Sequence, residues 1–192
     1  MRGERRDDVG GSVLRPGAVV KLAPAVACLS LLLIAAVTYP APATVADRID
    51  AALTQWVTTT PRHPLRSAPY RAQVVEAIRA STDRHGLPWA TVTAMVCRES
   101  SGRRDVTGPA GEIGLMQVHP VTAVMWRCKM QTPAQQVECG CRILAHHRSR
   151  CGTIEGALAA YGSRSGTCKP KRGGKLARMV ADRMRLAKEM EK

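Results

Sequence analysis

The apolar positions from residue 74 onward recur at helical spacing. Val74, Val75 and Ile78 share one face of a predicted helix, which His85-Gly86 is expected to end. Pro88 is well placed as the first residue of the next helix. This part of the chain is therefore predicted to be helical.

Along that second helix the apolar face ends in a carboxylate. Val92, Met95 and Val96 lie on the face that Glu99 continues at the C-terminal end. A carboxyl in this position is partly withdrawn from water, as a general acid needs to be. The competing interpretation is a solvated glutamate at a helix end without a function.

Three more helices are predicted after an irregular, glycine-rich stretch at 102–114. Thr132-Pro133-Ala134-Gln135 is a capping box that opens a helix to about Arg148, and Thr153 can cap another that carries Tyr161. Residues 175–192 form an amphipathic basic helix. No strand pattern is evident, so the predicted fold class is mainly α.

The N-terminus predicts export. Five basic residues precede an apolar run at 22–37, and small residues follow it. We interpret residues 1–46 as a cleaved signal peptide or as a retained signal anchor, with residues 22–39 in the inner membrane in the second case. Either alternative places the remainder outside the cytoplasm: periplasmic, secreted or anchored by the N-terminus.

Two further segments follow this export signal. The pattern of residues 47–58 predicts a short helix, and the composition of residues 58–69 is typical of a Pro/Thr linker. These two segments precede a domain that is predicted at 70–192. The net charge is +14, and +12 of it remains on residues 47–192. Such a basic surface attracts polyanions such as an anionic cell wall.

Cysteine usage agrees with export. Beyond Cys28 six cysteines remain, an even number that is typical of disulfides in an exported domain. Cys151–Cys168 is the preferred pair, because it would brace the loop after Tyr161. The alternative is a zinc site formed from Cys128, Cys139, Cys141, Cys151, His146 and His147, but Cys139-Gly140-Cys141 lacks the usual spacing of structural zinc ligands. The six disulfide candidates are Cys97, Cys128, Cys139, Cys141, Cys151 and Cys168.

Three sequence blocks resemble one known family. They are residues 98–102 (Arg-Glu-Ser-Ser-Gly), 111–120 (Gly-Glu-Ile-Gly-Leu-Met-Gln-Val-His-Pro) and 157–162 (Ala-Leu-Ala-Ala-Tyr-Gly). In order and separation they are similar to the signature blocks of the soluble lytic transglycosylase (SLT) family, relatives of goose-type lysozyme. The resemblance covers roughly residues 71–168 and implies a lysozyme-like helical domain, which the cysteines are expected to brace with disulfides.

The resemblance also implies an activity. The family cleaves the β-1,4 bond between N-acetylmuramic acid and N-acetylglucosamine in peptidoglycan and forms a 1,6-anhydro sugar, without a metal or other cofactor. Carried onto this chain, Glu99 is the catalytic acid and then the base. Ser100 lies near the lactyl-peptide side of the substrate, Met116 and Gln117 line sugar subsites, and Tyr161 hydrogen-bonds near Glu99 to hold its carboxyl.

The chain departs from the family pattern at one position and leaves one question open. Where the family usually has asparagine after Ala-Ala-Tyr, this chain has Gly162-Ser163, which puts one sugar contact in doubt. Asp105 and Glu112 follow Glu99. If either carboxylate faced the cleft, it could orient a water and make the enzyme a true muramidase, as in goose-type lysozyme.

Other functions remain as alternatives. A non-catalytic wall-binding assembly component would keep the fold for docking alone. Nucleic-acid binding through the basic surface is not expected, because aromatic residues for base stacking are few. The expected partners are peptidoglycan strands and the anionic cell wall, in the setting of phage lysis, a virion, or a conjugation or secretion apparatus.

Overall fold

The structure, a computed structural model, describes residues 43–192 except for 59 and 61. The predicted signal or anchor segment lies almost wholly outside the described residues. The helices of the described part are α1 (Val45–Trp56), a 3-10 turn (Pro64–Arg66), α2 (Ala68–His85), α3 (Trp89–Ser100), α4 (Pro120–Met125), α5 (Pro133–Cys151), α6 (Ile154–Tyr161) and α7 (Lys175–Met190). This confirms the mainly α prediction.

Helix α3 lies at the centre of the core. Its residues from Ala90 to Cys97 are all buried, and α1, α2 and α7 pack around it. The sequence predicts one apolar face on this helix, but small side chains such as Thr93, whose hydroxyl donates to the Trp89 carbonyl at 2.8 Å, let the other faces be buried as well. Glu99 lies in the last turn of this helix, just after the run of buried residues.

The predicted boundaries at Gly86, Thr132 and Thr153 are confirmed, and the predicted start at Pro88 is shifted by one residue. Gly86 ends α2 in the left-handed conformation (φ 61°), and Thr132 and Thr153 cap α5 and α6 with their side chains. Helix α3 begins at Trp89, one residue after Pro88, which occupies the cap position. None of the described helices combines the length and the apolar character that a membrane span requires.

The segments on both sides of residue 70 share one core. Helix α1 buries Ile49 and Leu53 against its neighbours, and Leu65, in the stretch that reads as a linker, is fully buried. Leu65 is also the side chain nearest to Gly102: a Cβ added to Gly102 would lie 2.3 Å from its Cδ1. The turn after α3 is thus packed directly on the 58–69 segment.

An irregular segment, residues 101–119, connects α3 to α4; we call it the site loop. Ile113 pairs in isolated antiparallel bridges with Thr107 and with Val118, which folds the loop back on itself. The short helix α4 that follows was not predicted from the sequence. Its Val121, Val124 and Met125 are exposed, so it shows no buried apolar face at helical spacing.

The cysteines divide into two disulfides and two thiols. The predicted pair Cys151–Cys168 is formed, and Cys128 pairs with Cys139. The expectation that Cys97 and Cys141 are also paired is wrong, since both are free and buried. Burial raises the pKa of Cys97 to about 12 and that of Cys141 well above its usual value. Both therefore stay protonated and behave as small core side chains.

Candidate active site

Glu99 lies at the C-terminal end of α3 with most of its side chain covered. The side chain is 18% exposed, and its Oε1 accepts a hydrogen bond from Nη2 of Arg183 at 2.6 Å. No hydrogen bond from a described residue reaches the second oxygen, Oε2. One carboxyl oxygen is thus held, and the other remains available.

Arg183 was not predicted as a site residue. It lies on α7, its side chain is 8% exposed, and its Nη1 donates to the Met179 carbonyl at 3.2 Å. The sequence did carry a signal, because Arg183 interrupts the apolar stripe of Val180, Leu186 and Ala187 that α7 buries. A charge within a buried stripe normally has a partner, and here the partner is Glu99.

A second ion pair joins α3 and α7 through the residues that precede Glu99 and Arg183. Nε of Arg98 lies 2.8 Å from Oδ2 of Asp182, and about a third of each side chain is exposed. The Arg98 guanidinium also lies 5.1 Å from the ring centre of Trp56. Helix α7 is therefore fastened to α3 by an outer pair and an inner pair.

Ser100 faces the protein interior. It is 3% exposed, and its hydroxyl lies 3.1 Å from the Val96 carbonyl and 3.0 Å from the Leu115 carbonyl. Its visible role is to join the end of α3 to the site loop. The predicted contact of Ser100 with the substrate would require this side chain to leave its buried position.

Met116 is also buried rather than facing a cleft. Its side chain is fully covered and packs on Gly140 of α5, where an added Cβ would lie 2.4 Å from the Met116 sulfur. Only glycine at position 140 allows the loop to approach α5 this closely. The Met116 side chain therefore anchors the loop, and the predicted lining of a sugar subsite by this side chain does not agree with its burial.

Tyr161 holds the loop and not the carboxyl. Its hydroxyl donates to the Met116 carbonyl at 2.9 Å, whereas Glu99 is bonded to Arg183, so the predicted hydrogen bond to Glu99 is absent. Burial, followed by the nearby charge of Glu99, raises the pKa of Tyr161 well above 10. The phenol therefore remains a hydrogen-bond donor at all ordinary pH values.

Gln117 adopts a backbone conformation that is unusual for a side chain of its size. Its φ is 49°, in the left-handed region, and its Nε2 donates to the Gly114 and Val106 carbonyls at 2.9 and 3.2 Å. Such strain persists only where the surroundings enforce it, and it is frequent at functional sites. Both amide hydrogens are used within the loop, and Oε1 is the polar atom left for a ligand.

Gln136 of α5 holds the site loop from below and was missed from the sequence. It is 5% exposed; its Oε1 accepts from the Leu115 amide at 2.9 Å, and its Nε2 donates to the Arg104 and Met130 carbonyls at 3.0 Å. Its neighbour Gln135 belongs to the capping box, as predicted, and that local pattern gives no indication of the role of Gln136.

The position that departs from the family pattern contacts α7. A Cβ on Gly162 would lie 2.4 Å from Cε of Met179 and 3.3 Å from Cδ1 of Leu176. The Ser163 hydroxyl lies 2.9 Å from that of Ser165, within its own turn. Helix α7 thus occupies the space into which a larger residue at 162 would project.

The two additional carboxylates are engaged away from Glu99. Oε2 of Glu112 accepts from the Ala110 amide at 3.0 Å within its own turn. Asp105 is exposed and acts electrostatically on Tyr70, whose hydroxyl donates to the Gly102 carbonyl at 2.9 Å. Neither carboxylate shares a hydrogen-bond or ion-pair partner with Glu99, whose partner among the described residues is Arg183.

The histidines and Trp126 lie apart from this constellation. His119 caps α4, accepting from the Val121 amide at 3.3 Å, and Trp126 meets His146 edge to face at 5.2 Å. Within the described residues no group of three or more His, Cys, Asp or Glu side chains is arranged to hold a metal ion. Most cysteines of the zinc alternative are used in disulfides.

Comparison with known proteins defines the class to which this fold and site belong. Residues 76–178 match the family described as Transglycosylase SLT domain. Over 87 residues the chain is 33% identical to a protein named Transglycosylase from Enterobacteria phage PRD1, covering 45% of this chain and 33% of the relative. The X-ray structure of an inactive mutant of lytic transglycosylase Slt from Pseudomonas aeruginosa aligns with a TM-score of 0.44 and 18% identity, over 71% of this chain and 25% of that chain.

The chain therefore belongs to the transglycosylase SLT domain family, and the resemblance of its three sequence blocks is confirmed. It spans about a third of the length of the phage relative and a quarter of Slt.

Proposed function

We propose that this chain cleaves the β-1,4 bond between N-acetylmuramic acid and N-acetylglucosamine in peptidoglycan, with Glu99 as acid and then base. The observation that carries the proposal is the state of Glu99 itself. It is the glutamate of the first family block, it is mostly buried, and one of its two oxygens has no partner among the described residues.

The reaction is an internal displacement. Protonated Glu99 gives its proton to the glycosidic oxygen as the bond to the anomeric carbon breaks. The C6 hydroxyl of the same muramic acid then attacks the anomeric carbon and returns its proton to Glu99. The product is a 1,6-anhydro sugar, no water is consumed, and Glu99 ends protonated as it began.

Two observations favour this outcome over hydrolysis. A muramidase needs a group that orients an attacking water, and the nearby carboxylates are the natural candidates. Glu112 is occupied by a backbone amide of its own turn, and Asp105 is directed to solvent beside Tyr70. An intramolecular hydroxyl needs neither of them.

The substrate lies outside the cytoplasm, and a basic segment at residues 164–178 provides a way to remain on it. All six of its cationic side chains are exposed, and none forms an ion pair with a described residue. No acidic residue interrupts the stretch from 156 to 181. The six are Arg164, Lys169, Lys171, Arg172, Lys175 and Arg178. We include attachment to anionic wall groups in the proposal, and the phage relative supports a phage-related use in lysis or in wall penetration by a virion.

The deciding experiment is mass analysis of the fragments that the purified chain releases from peptidoglycan sacculi. We expect anhydro-muropeptides, each lighter by one water than its hydrolysed counterpart, and their loss on Glu99→Gln. Glu112→Gln is the matched control and should retain the wild-type product. Hydrated products would establish a muramidase, and undiminished release by Glu99→Gln would remove Glu99 from the mechanism.

Attachment to the wall is tested separately. Changing Lys169, Lys171 and Arg172 together to glutamine should weaken sedimentation with sacculi and flatten its dependence on salt, because exposed charges are screened by ions. The rate on short soluble glycan fragments should not change. Equal sedimentation of both proteins at low salt would refute attachment through the basic segment.

A further inference from the structure

The inner ion pair between α7 and α3 is an unusual use of a buried charge. Arginine cannot lose its proton inside a protein, so burial of Arg183 to 8% exposure is unfavourable unless a partner compensates its charge. The group that accepts from Arg183 is the proposed catalytic carboxyl, 84 positions away in the sequence, and it compensates the charge fully only while Glu99 is ionised.

Docking of α7 does not by itself explain this pair. The outer pair, Arg98 with Asp182, already joins the two helices at the neighbouring position and in a more exposed setting. Apolar contacts add to it, since Val180, Leu186 and Ala187 of α7 are buried in the core. A methionine or leucine at 183 would satisfy such packing at lower cost than a charge.

The surroundings also give α7 room to approach. Gly162, at the position where the family pattern has asparagine, lies directly against Met179. Met179 is the same residue whose carbonyl accepts from Nη1 of Arg183 at 3.2 Å. Met179 therefore contacts both groups: its side chain packs on Gly162, and its carbonyl holds the Arg183 guanidinium.

We propose that Arg183 is a positioning residue for Glu99, an inference that rests on the proposed function. Nη1 is fixed to the backbone of α7, and Nη2 fixes Oε1 of Glu99, so the carboxyl cannot rotate freely. Oε2 is then presented to the glycosidic oxygen. Once its proton has passed to that oxygen, Glu99 is a carboxylate, and the guanidinium neutralises its charge until the C6 hydroxyl returns a proton.

The test compares kcat and KM of Arg183→Met with those of Asp182→Asn on soluble peptidoglycan fragments. Arg183→Met keeps the length and the apolar contacts but removes the charge and the hydrogen bonds. We expect a loss of about 100-fold in kcat with KM within about twofold of wild type, because misplacement of a reacting group acts on the chemical step. Asp182→Asn removes the charge that faces Arg98 in the outer pair and the charge that faces exposed Arg185, but it leaves Arg183 and Glu99 in place, so both constants should stay within about twofold of wild type.

Arg183→Lys keeps the charge on a shorter, single-point donor and covers the case in which Arg183→Met does not fold. It should fold and recover part of the rate, to about tenfold below wild type. Thermal unfolding of each variant establishes that the protein under assay is folded.

The outcomes separate the two proposals. Equal losses of kcat in Arg183→Met and Asp182→Asn would reduce Arg183 to a docking residue, and wild-type kcat in folded Arg183→Met or Arg183→Lys would overturn the inference. In both cases inactive Glu99→Gln leaves the proposed function standing. If Glu99→Gln is active, the proposed function itself fails.

Discussion

Two regions of the molecule converge on Glu99 and hold their positions by different means. The site loop is held by uncharged contacts: its backbone accepts from Ser100 and Tyr161, Gln136 bonds it twice, and the Met116 side chain packs on Gly140. Helix α7 contacts the carboxyl itself, through the charge of Arg183. The site loop shapes the surroundings of the Glu99 carboxyl, and α7 contacts that carboxyl directly.

This difference changes how the family blocks are interpreted. Ser100, Met116, Gln117 and Tyr161 look like substrate ligands when only their identity is considered. In the structure their side chains are directed to carbonyl groups or to Gly140, and they define the path of the loop. A recurring polar residue near a catalytic group therefore need not touch the substrate.

The largest effect should come from removing the support beneath the loop. Gln136→Leu preserves volume but leaves the Leu115 amide and the Arg104 and Met130 carbonyls without their partner. At about 1 to 2 kcal/mol for each unsatisfied group, we expect the free energy of unfolding to fall by about 3 to 6 kcal/mol, with loss of activity. Urea denaturation and rates on soluble fragments measure both.

The neighbouring glutamine is the control for this change. Gln135→Leu removes the capping box of α5, in which Gln135 Oε1 accepts from the Thr132 amide at 3.3 Å, and should cost about 1 kcal/mol with little change in rate. Similar losses in the two variants would mean that the loop does not depend on Gln136.

The next largest loss of stability is expected from removing the disulfide that precedes α7. Changing Cys151 and Cys168 together to serine frees the segment between α6 and α7, and closure of a loop with a sequence separation of 17 is worth about 3 kcal/mol. The corresponding change of Cys128 and Cys139, with a separation of 11, should cost about 0.4 kcal/mol less. Denaturation without reductant measures both. Unchanged stability in the first variant would show that this disulfide does not constrain the chain.

The sequence predicted the framework well because its signals are local. The caps at Thr132 and Thr153 and the helix end at Gly86 each follow from a few adjacent residues, and the Cys151–Cys168 pair follows from the short loop that it closes. The carboxylate that ends an apolar face, Glu99, was found in the same way.

The rest depended on contacts between distant segments. Arg183 is 84 residues from Glu99, and Gln136 is 21 from Leu115, so no window of the sequence contains either pair. The burial of Ser100 and Met116 was not predicted for the same reason. Ser100 is covered by a distant part of the site loop and Met116 by α5, and neither covering group is close to the residue in the sequence. A charge inside the buried stripe of α7 was the signal that pointed toward Arg183.

A smaller effect is expected where the two regions meet. Tyr161→Phe removes the hydrogen bond to the Met116 carbonyl but keeps the ring, so the free energy of unfolding should fall by about 1 kcal/mol. The raised pKa of Tyr161 predicts that the wild-type bond persists at alkaline pH. The rate should fall severalfold with its pH dependence retained. A phenylalanine variant with wild-type rate would mean that the phenol is not needed to place the loop.

The smallest effect tests whether activity follows the local site or overall stability. Burial alone would raise the pKa of Glu138, but its hydrogen bond to His85 at 2.8 Å and the charges of His85 and Arg84 outweigh that and lower it. A carboxyl with a lowered pKa in the folded state contributes stability above its unfolded pKa, near 4.5, and loses it as pH falls through the folded value. Glu138→Gln should therefore reduce stability by less than about 1 kcal/mol at neutral pH and flatten its decline in acid.

Glu76→Gln is the matched control for Glu138, because the pKa of Glu76 is also lowered, by its hydrogen bond to Arg79, but on an exposed helix face. Glu76→Gln should change the free energy of unfolding less than Glu138→Gln does. Both variants should keep the wild-type kcat at neutral pH, because Glu138 joins α5 to α2 and Glu76 contacts only α2. If kcat fell in step with stability in Glu138→Gln, the losses expected for Gln136 and Arg183 would also be effects of general destabilisation. Retained kcat would assign those losses to the two regions that reach Glu99.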